Sequence, residues 1–150
     1  MFSGGGCGLV WFPPRGLYDG ASSPGWLRGL LSRKGYVDLT LGAGVFDCLR
    51  GRWVHGRCFL NPPWSDKAPF VERAVEESRS RYVVLLLPLD PTTSWFRVLL
   101  GAQPRIIIPM WRFGRARYPW MLVALKPLHE RRGVEVYFAR CREELENLIP

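Results

Sequence analysis

The sequence predicts an α/β fold built on a mostly parallel sheet, with an antiparallel portion toward the carboxyl terminus and helices on both faces. Three observations carry that reading. Tyr82-Val83-Val84-Leu85-Leu86-Leu87 is a continuous apolar run closed by Pro88, the pattern of a strand buried on both sides. Before it, Phe70, Val71, Ala74 and Val75 share one helical face while Glu72, Arg73, Glu76 and Glu77 share the other, and a shorter apolar strand, Arg57 to Leu60, precedes that helix. Strand, helix, strand in this order calls for a parallel, right-handed crossover. After it, Ile106-Ile107-Ile108 and Met121 to Leu125 are two further strands joined by a loop, which supplies the antiparallel portion.

Composition bounds the rest. The chain has 150 residues, 47% of them hydrophobic and 13% aromatic, enough for one sizeable core in a single domain over 11–150, with 1–10 as a flexible Gly-rich leader. The longest apolar run, Tyr82 to Leu87, is far short of the ~20 residues that span a bilayer, so no membrane partner is expected. Met1 to Gly6 lacks the charged and apolar segments of a secretory signal, and a cytoplasmic location is expected. The net charge of +8 suits a polyanionic partner such as nucleic acid, or reflects a genome that spells basic residues as Arg; charge alone leaves both open. Cys7, Cys48, Cys58 and Cys141 show no CxxC spacing and no His at ligand distance, so free thiols are expected and a metal is not. Cys48 and Cys58 are the pair near enough in sequence to test for a disulfide.

In chain order, Trp11-Phe12-Pro13-Pro14-Arg15-Gly16-Leu17-Tyr18 is a rigid aromatic and proline segment, a cap on the core or a wall of a pocket. Ser23 is placed as a helix N-cap with Pro24 at the first helical position, and Trp26, Leu27, Leu30 and Leu31 mark one face until Gly35 ends the helix. Tyr36 to Gly44 is a strand that turns sharply at Gly42-Ala43-Gly44, where a ligand could approach the backbone. Only one short element, near Arg52-Trp53-Val54, fits before the strand at Arg57. Asp66 is placed as N-cap of the next helix, with Pro69 in its first turn. Ser94 to Leu100 is a short helix with hydroxyl caps, closed by Gly101. From Trp111 to Trp120, Arg112, Arg115 and Arg117 alternate with Trp111, Phe113, Tyr118 and Trp120: a loop that grips phosphates and stacks on bases, or a hairpin with one wet face. Val134, Val136 and Phe138 mark an edge strand and Arg140 to Ile149 a closing helix, while His55 and His129 are placed at the surface.

Asn61-Pro62-Pro63-Trp64 falls at the carboxyl end of the Arg57 to Leu60 strand, where open α/β sheets bind their ligands. Consecutive prolines stiffen the turn, remove two N–H donors and leave outward carbonyls available as acceptors. One of only two Asn in the chain sits there.

This turn, with Val71-Glu72-Arg73-Ala74, Val84 to Pro88, Thr93-Ser94-Trp95-Phe96, Arg112-Phe113 and Met121 to Leu125 in series after it, resembles the phage-type adenine-N6 DNA methyltransferases, the Dam-like family of Asn-Pro-Pro-aromatic amino-methyltransferases. The likeness runs over about residues 11–126 and is strongest over 58–113. Trp11-Phe12-Pro13-Pro14 is similar to the family's Trp-x-Thr-Pro segment, and Asp38 with Gly42 and Gly44 to its Asp-x-x-x-Gly-x-Gly turn. The resemblance implies a reduced Rossmann-like methyltransferase sheet and S-adenosylmethionine as cofactor. It implies DNA as substrate, in the host cytoplasm for a phage or viral protein, and transfer of methyl to the adenine N6 amine. Asn61, Pro62, Pro63 and Trp64 would be catalytic. Trp11, Pro14, Asp38, Gly42, Gly44 and Asp47 would hold the donor, Asp47 being the acid in the short 45–57 segment. Trp111, Arg112, Arg115, Arg117 and Tyr118 would hold nucleic acid. A methyltransferase of RNA bases and an inactive nucleic-acid-binding relative stand as alternatives, and the aromatic count would suit a dimer.

Overall fold

The structure, a computed structural model, describes residues 23–40, 47–111 and 119–150. Among the described residues six strands form one sheet in the order β1-β2-β3-β5-β4-β6: β1 (Val37–Asp38), β2 (Arg57–Leu60), β3 (Tyr82–Pro88), β4 (Arg105–Pro109), β5 (Trp120–Leu125) and β6 (Glu135–Ala139). β1, β2 and β3 run parallel, β5 is antiparallel to both β3 and β4, and β6 runs parallel to β4. The parallel run and the antiparallel insertion are both as the apolar pattern predicts.

The two-residue period of the strands sorts their side chains into two cores. Cys58, Leu60, Val83, Leu85, Leu87 and Val123 face one side, where α2 (Ala68–Glu77) and α3 (Ser94–Gly101) cover them with Val71, Ala74, Trp95, Phe96 and Leu99. Phe59, Val84, Leu86, Ile107 and Leu122 face the other, under α1 (Gly25–Arg33) and α4 (Arg142–Leu148), which contribute Leu27, Leu30, Leu31 and Leu145. β3 is thus buried from both sides, which is why its sequence shows no alternation.

α1 ends in a Schellman motif. Tyr36 N–H donates to the Leu31 carbonyl and Gly35 N–H to the Ser32 carbonyl, with Gly35 in the left-handed region at φ 88°. That turn feeds the chain directly into β1. Lys34 then donates to the carbonyls of Glu146 and Ile149, and Tyr36 Oη to the carbonyl of Pro150, so the end of α4 is tied to the end of α1. A cation at the carboxyl end of a helix also opposes its dipole.

Several local expectations are corrected. The Ser23 side chain does not cap α1; Pro24 holds the N-cap position and its carbonyl accepts from Leu27 and Arg28. Lys67 rather than Asp66 precedes α2, although Pro69 does lie in the first turn, where its missing N–H costs nothing. Thr93 precedes α3, but its hydroxyl donates to the Asp90 carbonyl, and the left-handed residue after the helix is Gln103 at φ 52° in place of a closing Gly101. No strand forms at Arg52-Trp53-Val54. A turn at 48–50 leads into an extended segment whose Trp53 plugs the core and donates from Nε1 to the Cys48 carbonyl. The carboxylate-facing guanidinium of Arg73 on α2 fastens the same segment, donating to the carbonyls of Leu49 and Gly51 while paired with Glu77. β6 is the edge strand expected, and Val134, Val136 and Phe138 are exposed.

His55 and His129 are exposed, and Cys48, Cys58 and Cys141 are free thiols. No group of metal ligands and no helix long and apolar enough to cross a membrane occurs among the described residues.

Two outcomes follow from this packing. Gly35→Ala forces a Cβ into the left-handed conformation and should cost about 1 kcal/mol in urea denaturation. Burial pushes the thiols of Cys48 and Cys58 up to about 11 from 9.0. Their stabilising contribution is therefore present below pH 9 and is lost as pH rises through about 11, because the unfolded chain ionises first. Peptide mapping after alkylation at neutral pH should find Cys141 modified well before either of them.

Candidate active site

The parallel strands β1, β2 and β3 end on one edge of the sheet, and the residues singled out by sequence gather there. In the β1–β2 register Val37 lies beside Cys58 and Asp38 beside Phe59, and Leu39 N–H donates to the Phe59 carbonyl. The ladder therefore delivers Thr40 next to Asn61.

A chain of hydrogen bonds joins them. Asp38 Oδ1 accepts from both the N–H and the hydroxyl of Thr40, at 2.9 and 2.8 Å. The Thr40 hydroxyl in turn accepts from the Asn61 N–H at 2.8 Å. Asn61 Nδ2 donates to Ser23 Oγ at 3.1 Å, and Ser23 is buried. Backbone and side chain of Asn61 are thus held from two directions, and the donation through Nδ2 turns the amide so that Oδ1 lies on the side away from Ser23.

The proline turn is stiffened further by its own bonds. Pro63 accepts from Asp66 N–H at 3.2 Å, and the Trp64 carbonyl accepts from Lys67 Nζ at 2.6 Å. These two carbonyls are consumed inside the turn, which corrects the expectation that they all point outward as acceptors. Lys67 also sits over the Trp95 ring at 5.3 Å, anchoring the turn to α3. Pro62 is buried, and Trp64 is half-buried against the α1–α4 core.

The same edge carries an aromatic group. Trp111, just beyond β4, lies 6.0 Å from Trp26 of α1 and 6.3 Å, edge to face, from Trp120 at the start of β5. Arg142 of α4 covers the other ring of this series, 4.6 Å from Trp26. The Trp26–Trp111 pair is tilted at 40°, and the perpendicular Trp111–Trp120 geometry is one that favours aromatic pairs.

Beside Asp38 opens a cavity of about 400 Å³ between α1 and the first two strands. Arg28, Gly29, Ser32, Tyr36, Asp38 and Phe59 line it. Burial raises the Tyr36 phenol far above its ordinary pKa, so it stays a neutral hydrogen-bonding group.

Of the residues expected at the site, the fold brings Asp38, Asn61, Pro62, Pro63 and Trp64 together, with Trp111 on the same edge. Asp47 is placed elsewhere: it is exposed, its Oδ1 accepts from Leu49 N–H at 3.0 Å within its own turn, and it is not part of the cavity wall. Trp11, Pro14, Gly42, Gly44, Arg112, Arg115, Arg117 and Tyr118 lie outside the described residues, as do Cys7 and the Gly-rich start. Ser23, Thr40 and Lys67 are participants that sequence reading did not select. Thr40 had a signal: Asp-x-Thr forms the same local bond pattern at Asp90-Pro91-Thr92, with the Thr92 N–H and hydroxyl donating to Asp90 Oδ1. Ser23 had none, since its partner is 38 positions away.

Residues 44–114 match the model of the DNA N-6-adenine-methyltransferase (Dam) family. Over that stretch the chain is similar to the Dam family. The match takes in Asn61 to Trp64 and Trp111 and begins after Asp38. A DNA N-6-adenine-methyltransferase of Haemophilus phage HP1 (strain HP1c1) is 42% identical over 61 residues, 39% of this chain and 35% of the phage protein. The chain thus spans about a third of the length of the curated relative it matches. No solved structure matches it.

Thr40→Val removes the acceptor for Asn61 N–H and the donor to Asp38 while keeping the shape. It should cost about 1 to 3 kcal/mol in denaturation, and amide exchange at Asn61 should accelerate with that loss.

Proposed function

We propose that the protein transfers a methyl group from S-adenosylmethionine to the N6 amine of adenine in DNA. The observation that carries the reading is the fixed Asn61 amide, held by Ser23 and Thr40 at the carboxyl end of β2 inside the Dam-family segment.

An exocyclic amine is a weak nucleophile because its lone pair is delocalised into the ring. Asn61 Oδ1 and the Pro62 carbonyl would each accept one N–H of that amine, drawing the nitrogen toward tetrahedral geometry and freeing its lone pair. When bound, S-adenosylmethionine supplies an electrophilic methyl group on a sulfonium. The new N–C bond would form as the C–S bond breaks, and the amine's surplus proton would leave to solvent. Most of the rate gain would be positioning, since reacting groups held in line gain several powers of ten in effective concentration. Trp64 would stack on the base once it has left the duplex, as enzymes that modify bases require. Trp111, Arg112, Arg115, Arg117 and Tyr118 would meet the phosphates and bases near that base.

The donor's chemistry fits the cavity beside Asp38. A zwitterionic amino-acid end and a nucleoside call for charged groups and for flat apolar walls, and Arg28, Asp38, Tyr36 and Phe59 offer both. Its volume lies within the usual range of about 300–1,000 Å³ for small-molecule sites. Asp38 also bonds to Thr40, which bonds to Asn61, so donor contact and amine contact share one rigid frame. Gly42 and Gly44, with Trp11 and Pro14, complete the donor-binding set of this reading.

Duplex DNA incubated with labelled donor should yield N6-methyladenine. Asn61→Ala should lower transfer at least about a hundredfold with donor binding by calorimetry near wild type, and with a stability loss of about 1–3 kcal/mol from the broken Ser23 bond. Asp38→Ala should instead weaken donor binding by about tenfold or more. Salt-sensitive DNA binding without any heat of donor binding would overturn the enzymatic reading.

A further inference from the structure

β6 is the outer strand of the sheet, and its backbone is only half used. Glu135 N–H donates to the Pro104 carbonyl, and the Ala139 carbonyl accepts from Met110 N–H. In a parallel ladder alternate residues bond to the neighbour, so Glu135, Tyr137 and Ala139 serve β4 while Val134, Val136 and Phe138 turn their N–H and C=O groups outward.

The side chains of the outward set are equally uncovered. Val136 lies in register with Ile106 and Phe138 with Ile108, on the α2–α3 side of the sheet. Val134, Val136 and Phe138 keep 48%, 50% and 63% of their surface exposed. Natural edge strands are protected by lysine, proline or a bulge. Glu135–Ala139 carries none of these. Its only charge, Glu135, is already neutralised by Arg105 at 3.0 Å and Lys126 at 3.6 Å.

We propose that β6 pairs antiparallel with β6 of a second copy of this chain, about a twofold axis through Val136, joining the two sheets into one. The register follows from the backbone. Hydrogen-bonded pairs must match outward residues with outward residues, which restricts the axis to a residue position. An axis at Tyr137 sets Val134 against Arg140, and one at Glu135 sets Phe138 against Arg132. Only the axis at Val136 sets all three apolar residues against apolar ones: Val136 faces its own copy and Val134 faces Phe138. On the opposite face Glu135 meets Tyr137, a carboxylate against a phenol. Arg132 and Arg140 meet beyond the strand ends, where Arg140 is held by Glu144 of its own chain at 2.6 Å. The surface is thus self-complementary in hydrogen bonds and apolar contact, the condition for an isologous dimer. This pairing does not depend on the methyltransferase reading.

Sedimentation of the full chain over about 1–100 µM tests it. The expected species has twice the 17.2 kDa chain mass and persists at high salt. Val136→Pro removes the outward N–H on the axis, a change an edge strand tolerates, and should leave a folded monomer with near-normal circular dichroism. Phe138→Lys keeps the backbone and should weaken dimerisation at least about tenfold; if the proline variant unfolds, this variant decides. A wild-type monomer throughout the range, or a dimer that survives both substitutions in folded protein, overturns the proposal.

Discussion

The parallel alignment of β1, β2 and β3 is the constraint on which the rest of the molecule depends. Because the three strands run the same way, their carboxyl ends, and therefore Asp38, Asn61 and the Asp90 turn, emerge on one edge. Side chains from distant parts of the sequence then need only short bonds to become one unit. The Thr40 hydroxyl illustrates this: it donates to its near neighbour Asp38 and accepts from Asn61, 21 positions away. A part-buried polar chain of this kind stabilises modestly when complete and costs stability when broken, so it holds one geometry.

The face under α1 and α4 serves that geometry. Lys34 and Tyr36 tie the closing helix to the first one, and Arg142 lies over Trp26. These contacts fix the helix whose approach delivers Ser23 to the Asn61 amide. The opposite face performs a different task. In the described part of the β1–β2 connection the Trp53 indole fills the core, while the guanidinium of Arg73 on α2 satisfies the carbonyls of Leu49 and Gly51. Two backbone acceptors of this connection are thereby satisfied by a side chain of α2.

Much of the fold and part of the site were legible in the residues. The unbroken apolar run of β3 specifies burial on both faces, and the 3.6-residue period of Val71 and Ala74 specifies the helix that makes β2 and β3 parallel. Asn61-Pro62-Pro63-Trp64 was visible as a stiff, donor-poor turn because proline's effect is local and covalent. The caps were misjudged at Ser23 and Thr93 because a hydroxyl suited to capping has other partners available once the chain is compact, and at Asp66 because α2 starts one residue later, after Lys67.

Sequence alone therefore determined what depends on neighbours within a few positions: strand and helix type, the Gly35 terminus of α1, the rigid turn after β2, and the identity of the edge strand. Tertiary structure decided what depends on register and on meetings across the chain. The parallel β1–β2 register chose Thr40 as the link to Asn61, helix α1 brought in Ser23, and the lack of a covering helix left Val136 and Phe138 exposed at the sheet edge. Periodicity specifies which face of an element is apolar, but only the packed chain shows whether anything covers that face.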